Sequence, residues 1–270
     1  VYARRFALVP EMQTEGSIYN MNVTQSEREY WTRHPGRPPV MRQSWRDLLF
    51  IHWPVPADVI QQALPHGLTV DTFDGFAWVA LVPFQMRNVR PVWAPCVPGL
   101  SNFAECNVRT YVHIDGMAPG VWFFSLDAAN AIACAIARLT FSLPYFHAKM
   151  NGVVTNNEFR YQTSRHKPGL DVALSASISP GEPLPAIPGT FVWWAAERYL
   201  LHSIHRGTLH TGQVHHKPYR LIDATVDFSQ FDAEFPLSDV RNIPPPSVLY
   251  SPGVDVDVFD LKPYSPIARD

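Results

Sequence analysis

The chain has 270 residues, with 22 Lys plus Arg against 24 Asp plus Glu and a net charge of −2. That balance, without a basic tract or an arginine stripe, excludes nucleic acid as an expected partner. Cys96, Cys106 and Cys134 stand far apart with no Cys-x-x-Cys motif, which argues against a disulfide framework or a thiolate metal site and fits a reducing cytoplasm.

The length suffices for one large core. No signal peptide is read, and the longest apolar stretch is interrupted by Pro119, Asp127 and Asn130, so no membrane partner is expected. The 26 prolines, about twice ordinary usage, point to long, stiff connections.

Residues 1–40 read as an N-terminal arm or surface extension, and residues 41–270 as a single β-rich domain with an irregular tail. Ser26 and Glu29 have the spacing of a capping box for a short helix in the arm. Residues 41–53 turn strand-like in their second half, and Pro56 opens a short helix with Ile60 and Leu64 on one face. Residues 68–73 and 77–85 read as strands of a hairpin around Asp74-Gly75. The Pro- and Trp-containing stretch 87–98 is a loop long enough to cover an opening.

The segment from Phe103 to Ile114 is the centre of the pattern. A strand's period of two puts Ala104, Cys106, Val108, Thr110, Val112 and Ile114 on one face, which suits a core. The opposite face aligns Phe103, Glu105, Asn107, Arg109, Tyr111 and His113. Such a row is either a solvated sheet face or the inner wall of a cavity, and the pattern leaves both open. Asp115-Gly116 supplies a turn into a strand over 121–126. Asp127 is then placed to cap an alanine-rich helix striped by Ile132, Ile136 and Leu139, expected to be buried on most sides, with Arg138 its only charge. Pro144 ends it near Leu143.

Residues 152–164 and 170–179 suggest another strand pair, and 180–189 a proline-rich connection. Residues 191–205 fit either a helix or strands. Further strands are expected over 208–224 and 224–228, and the Asp-Val alternation at 254–260 reads as an edge strand.

Five histidines, His202, His205, His210, His215 and His216, crowd one stretch. Converging histidines with a carboxylate would make a metal site, but the spacing is not His-Glu-x-x-His, and a strand would send His215 and His216 to opposite faces. No metal is assigned. There is no nucleophile elbow or phosphate loop, and Ser101, Ser125 and Ser142 lack an activating motif. Lys149 and Lys167 serve as nucleophiles only where their surroundings lower the amine pKa.

FAECNVRTYV (103–112), LPYFHAKM (143–150), the DG and AWVALVPF stretch (74–84) and the ERY to HHKPY segment (197–219) resemble the YqjF-like family of uncharacterised conserved proteins, over roughly residues 41–235. The resemblance implies an α+β, mainly antiparallel fold of the acetoacetate decarboxylase-like kind, a barrel or cone with a few packed helices around a cavity. It favours the inner-wall reading and puts Glu105 where the decarboxylase has its active-site carboxylate. The decarboxylase's Schiff-base lysine corresponds to the neighbourhood of Tyr145 or Phe146, with Lys149 three or four places late, so iminium chemistry is not implied. What remains is Glu105 as acid or base, Arg109 as anion holder, and Phe103, Asn107, Tyr111 and Tyr145 as ligand contacts. Arg109 either binds a substrate carboxylate or neutralises Glu105. The expected ligand is a small organic acid or carbonyl compound, with no cofactor. Catalysis, a non-catalytic binding or interaction role, and self-association all stay open.

Overall fold

The computed structural model describes residues 22–165 and 169–265. Lys167 and the first half of the arm lie outside them. Helix α1 (Gln25–Trp31) is capped by Thr24 rather than Ser26, the Thr24 hydroxyl accepting from the Glu27 amide at 3.2 Å. The buried Glu27 then accepts from Trp31 and from the Ala118 amide, which ties the helix to the sheet.

β1 (Met41–Val55) is longer than its sequence signal, and α2 (Ala57–Ala63) follows Pro56 with Ile60 buried. The Asp74-Gly75 turn forms, with both residues at positive φ. The expected hairpin stops at a single Phe73–Phe76 bridge. β2 (Thr69–Val70) instead pairs with β4 (Phe103–Ile114), and β3 (Ala77–Pro91) extends into the predicted loop. β4 has the expected bounds and turns through Asp115-Gly116 into β5 (Met117–Ala128).

Asp127 caps nothing. β5 continues past it, and the cap of α3 (Ala131–Phe141) is Asn130, whose Oδ1 accepts from the Ile132 and Ala133 amides. Nor is α3 enclosed. Cys134 is its buried residue, while Ile132, Ile136 and Leu139 are exposed; the helix packs chiefly on β5 and the short β6 (Tyr145–His147).

β7 (Lys149–Thr155) and β8 (Glu158–Ser164) split the expected strand at Asn156-Asn157, both at positive φ, and β9 (Leu170–Ile178) completes the group. Residues 191–205 contain both alternatives, α4 (Phe191–Ala196) and β10 (Leu200–His205). β11 (Thr208–His216), β12 (Ile222–Ala233), β13 (Ser247–Val258) and β14 (Lys262–Pro263) follow. β13 is no edge strand, since it pairs with β1, β11 and β12.

The strands β1, β3, β4, β5, β10, β11 and β13 pair in sequence, and the β11–β13 pairing closes them into a ring. Neighbours are antiparallel apart from β5 with β10 and with β6. At the parallel seam, a Cβ on Gly120 would lie 2.8 Å from the Leu200 carbonyl and from His202, so glycine lets β10 close against β5. β12, β9, β8 and β7 continue from β13 as an outer sheet.

Strand alternation builds the two largest hydrophobic clusters among the described residues. Leu49, Ile51, Val79, Leu81, Cys106 and Val108 point outward onto Phe159, Tyr161, Val172 and Leu174 of the outer sheet. Leu48, Phe50, Ala80, Val82, Phe84 and Phe103 point into the ring.

Candidate functional site

The ring holds a cavity of about 770 Å³. Its walls are mostly apolar, with α3 and the loop after β3 at one end. Asn130 links these two pieces, donating to the Gly99 carbonyl at 2.8 Å while it caps α3.

All twelve residues of β4 are buried. Phe103, Glu105, Asn107 and Arg109 line the cavity, so the row is an inner wall and not a solvated face. Tyr111 does not reach the cavity. Trp194 packs on its ring at 4.6 Å, and its hydroxyl is hydrogen-bonded to His52 at 2.8 Å. His113 lies near the Asp115-Gly116 turn and accepts from the Gly116 amide.

Glu105 is held from several sides. Tyr145, beside β5 on β6, donates to Glu105 Oε2 at 3.1 Å, and Tyr161 donates to the Glu105 carbonyl at 2.8 Å. Burial raises the Glu105 carboxyl to about 8, against the lowering effect of the Tyr145 hydrogen bond and with help from Asp127. Glu105 is therefore protonated at neutral pH. Asp127, on β5, is fully enclosed 3.4 Å from Arg165, and burial lifts it to about 6.

Arg109 makes no ion pair with Glu105 among the described residues, so the structural pairing is not found. It is 9% exposed, donates to the Ala195 carbonyl at 3.3 Å, and lies over the rings of Phe50 and Tyr111 at 5.4 and 5.5 Å. Its Nε and the Asn107 Oδ1 have no partner among the described residues. Neighbouring His52 is neutral, held down to about 3 by burial and by Arg109.

Sequence reasoning misses a second cation here. Arg198 also lines the cavity, lies over Tyr111 and Trp194, and bonds Asp71 at 2.7 Å. Asp71 simultaneously takes a fork from Arg28 at 2.6 and 2.7 Å. Burial works against the Asp71 charge, but Arg198 and Arg28 hold its carboxyl below the usual range. Burial lowers Arg198 to about 10, so both groups are ionised at neutral pH. The ERY motif contains Arg198, but nothing in the sequence links it to Asp71, 127 positions away.

The histidine cluster disperses. His202 bonds Thr211 and the Ala118 carbonyl, His205 bonds Ser142, and His216 stacks on Tyr199. Among the described residues no three His, Cys, Asp or Glu side chains are grouped to hold a metal. Lys149 is exposed on β7, and no described lysine lines the cavity. Of Tyr145 and Phe146, around which the resemblance puts the decarboxylase's amine, Tyr145 bonds the Glu105 carboxyl.

The strand ring and its cavity match the acetoacetate decarboxylase-like fold. The chain superimposes on the acetoacetate decarboxylase of Legionella pneumophila with a TM-score of 0.61 and 14% identity, covering 94% of this chain and 98% of that one. It superimposes on the enduracididine biosynthesis enzyme MppR complexed with pyruvate with a TM-score of 0.57 and 15% identity, covering 85% and 91%. At these identities the likeness shows the fold alone. Residues 42–255 match the family DUF2071, described as an uncharacterized conserved protein. The chain is 38% identical over 191 residues to the uncharacterized protein YqjF of Bacillus subtilis, covering 70% of this chain and 78% of that one. The protein belongs to this family. Among the described residues no helix is long and apolar enough to cross a membrane.

Proposed function

We propose that the protein binds an organic acid or carbonyl compound in the ring cavity and that Glu105 exchanges a proton with it. The observation that carries this reading is the buried Arg109 guanidinium, which lines the cavity with its Nε unpartnered and no described carboxylate paired to it. A buried cation without a counter-ion is costly, and an anionic ligand group would offset that cost by charge-assisted hydrogen bonds. Phe103, Asn107 and Tyr145 would contact the ligand, and Tyr111 would support Arg109 from behind.

Glu105 supplies the acid–base chemistry. With its pKa raised to about 8, it donates a proton to a carbonyl oxygen at neutral pH and accepts one from an adjacent carbon in mildly alkaline solution. The MppR complex holds pyruvate in a protein of this fold, which supports the ligand class. The same reading needs no cofactor, nucleic acid, membrane or second chain. A reducing cytoplasm is the proposed location, supported by the three free cysteines.

A second reading, binding without turnover, is favoured by one observation: no described lysine reaches the cavity to form an iminium. Proton NMR of keto acids incubated with the protein in D2O separates the two. Catalysis predicts deuterium uptake beside the carbonyl that is lost in Glu105→Gln while binding persists. Exchange unchanged in Glu105→Gln would refute the acid–base role. Arg109-dependent binding with no exchange in the unaltered protein would establish the second reading.

A further inference from the structure

The dimensions of the cavity and the distribution of its polar groups restrict the ligand further than an acid or carbonyl compound. We infer that the natural ligand is an amphipathic carboxylate, an acid group on a long aliphatic or polycyclic body, which enters acid-first. This rests on the binding reading above and specifies its substrate class.

Volume gives the first argument. At roughly 30 Å³ per heavy atom, the share of one liquid water, a four-carbon keto acid would fill only about a quarter of the roughly 770 Å³ available. A cavity filled so sparsely would leave apolar wall facing water that contributes nothing to affinity.

Arrangement gives the second. Arg109, further along β4 than Glu105, and Arg198 just ahead of β10 line the cavity and are buried, with exposures of 9% and 8%, whereas Glu105 stands at the start of β4 nearer α3. The wall residues most open to solvent mark the mouth, and they are largely apolar: Trp93 at 83%, Ile136 and Val97. Anion recognition is thus at the closed end and apolar surface at the open end. A ligand matching both must carry its charge at one terminus and its apolar mass behind it. Trp93 and Ile136 come from the two pieces that Asn130 joins, the loop after β3 and α3, so an emerging tail would lie between them.

The test is calorimetric titration of the full chain with acetate, butyrate, octanoate and dodecanoate below their aggregation limits, together with 1-dodecanol. The expected result is affinity rising roughly fourfold per added methylene, the value for complete burial of each CH2, with dodecanoate far tighter than dodecanol. Trp93→Ala should weaken dodecanoate and leave butyrate unchanged. Arg109-dependent binding that is equal for butyrate and dodecanoate would overturn the tail assignment and leave the acid pocket intact. Dodecanol equal to dodecanoate would overturn the buried anion end. No binding of any acid at millimolar concentration would overturn both this inference and the reading beneath it.

Discussion

Tyr145 donates its phenolic proton to Glu105 across 3.1 Å, joining the segment that leaves α3 to the start of β4. This hydrogen bond acts against burial, which is the larger influence on Glu105. Tyr145→Phe should therefore move the Glu105 pKa further above about 8, by about one pH unit or less for a hydrogen bond of ordinary net strength. Carbon-13 NMR titration of the labelled carboxyl measures it, and a downward movement would contradict the assignment.

Glu105 also makes stability depend on pH. Its folded pKa is raised from 4.5 to about 8, so between those values the native state holds a proton that the unfolded chain has released. Stability then falls as pH rises through that window and levels off above it. Glu105→Gln removes the titration and keeps an acceptor for Tyr145. Urea unfolding at pH 5 and pH 9 should show the parent losing a few kcal/mol relative to the variant, because each pH unit separating the folded and unfolded pKa values is worth about 1.4 kcal/mol. Parallel pH profiles for the two proteins would refute a neutral Glu105.

Arg109 is expected to separate stability from function. Arg109→Met removes a buried charge that no described carboxylate balances while retaining an apolar chain over Phe50. The variant should be as stable as the parent, or more stable by about 1 kcal/mol or more, yet should lose acid binding. Paired denaturation and calorimetry check this, and destabilisation by several kcal/mol would show that Arg109 is structural.

Asp71 should behave in the opposite way. Its carboxylate bridges Arg28 and Arg198 at 2.6–2.7 Å. Asp71→Asn leaves two guanidinium groups facing each other in a buried setting, with an expected cost of about 3–5 kcal/mol. A melting temperature within a degree or two of the parent would exclude a bridging role.

Gly120 tests the parallel seam of the ring. A Cβ there would sit 2.8 Å from the Leu200 backbone carbonyl, which cannot swing aside as a side chain can. Gly120→Ala should destabilise by about 1–3 kcal/mol, as overpacking does, and hydrogen exchange should quicken first in β10. Uniform exchange with unchanged stability would mean the seam tolerates the methyl group.

What is legible in the chain alone is what strand periodicity and local turn chemistry can specify. Alternation along Phe103–Ile114 separates a core face from a polar row, and Asp115-Gly116 fixes the turn that follows. Asp127 misleads because a carboxylate before an alanine run looks like a cap, whereas pairing with β4 and β6 extends the strand past it. The tail alternation is legible as a strand, but its place between β1 and β12 depends on partners some two hundred residues away in the case of β1. Period two also gives the side of a sheet and not the depth along a ring. Tyr111 shares a face with Arg109, yet α4 covers it through Trp194 while Arg109 stays open to the cavity. The union of Asp71 with Arg28 and Arg198 comes from the packing of α1 and the segments after β2 and α4 on the ring, and Arg109 is left without a paired carboxylate among the described residues. Charges distant in sequence meet only where the whole sheet brings them, and burial there sets which of them remain charged.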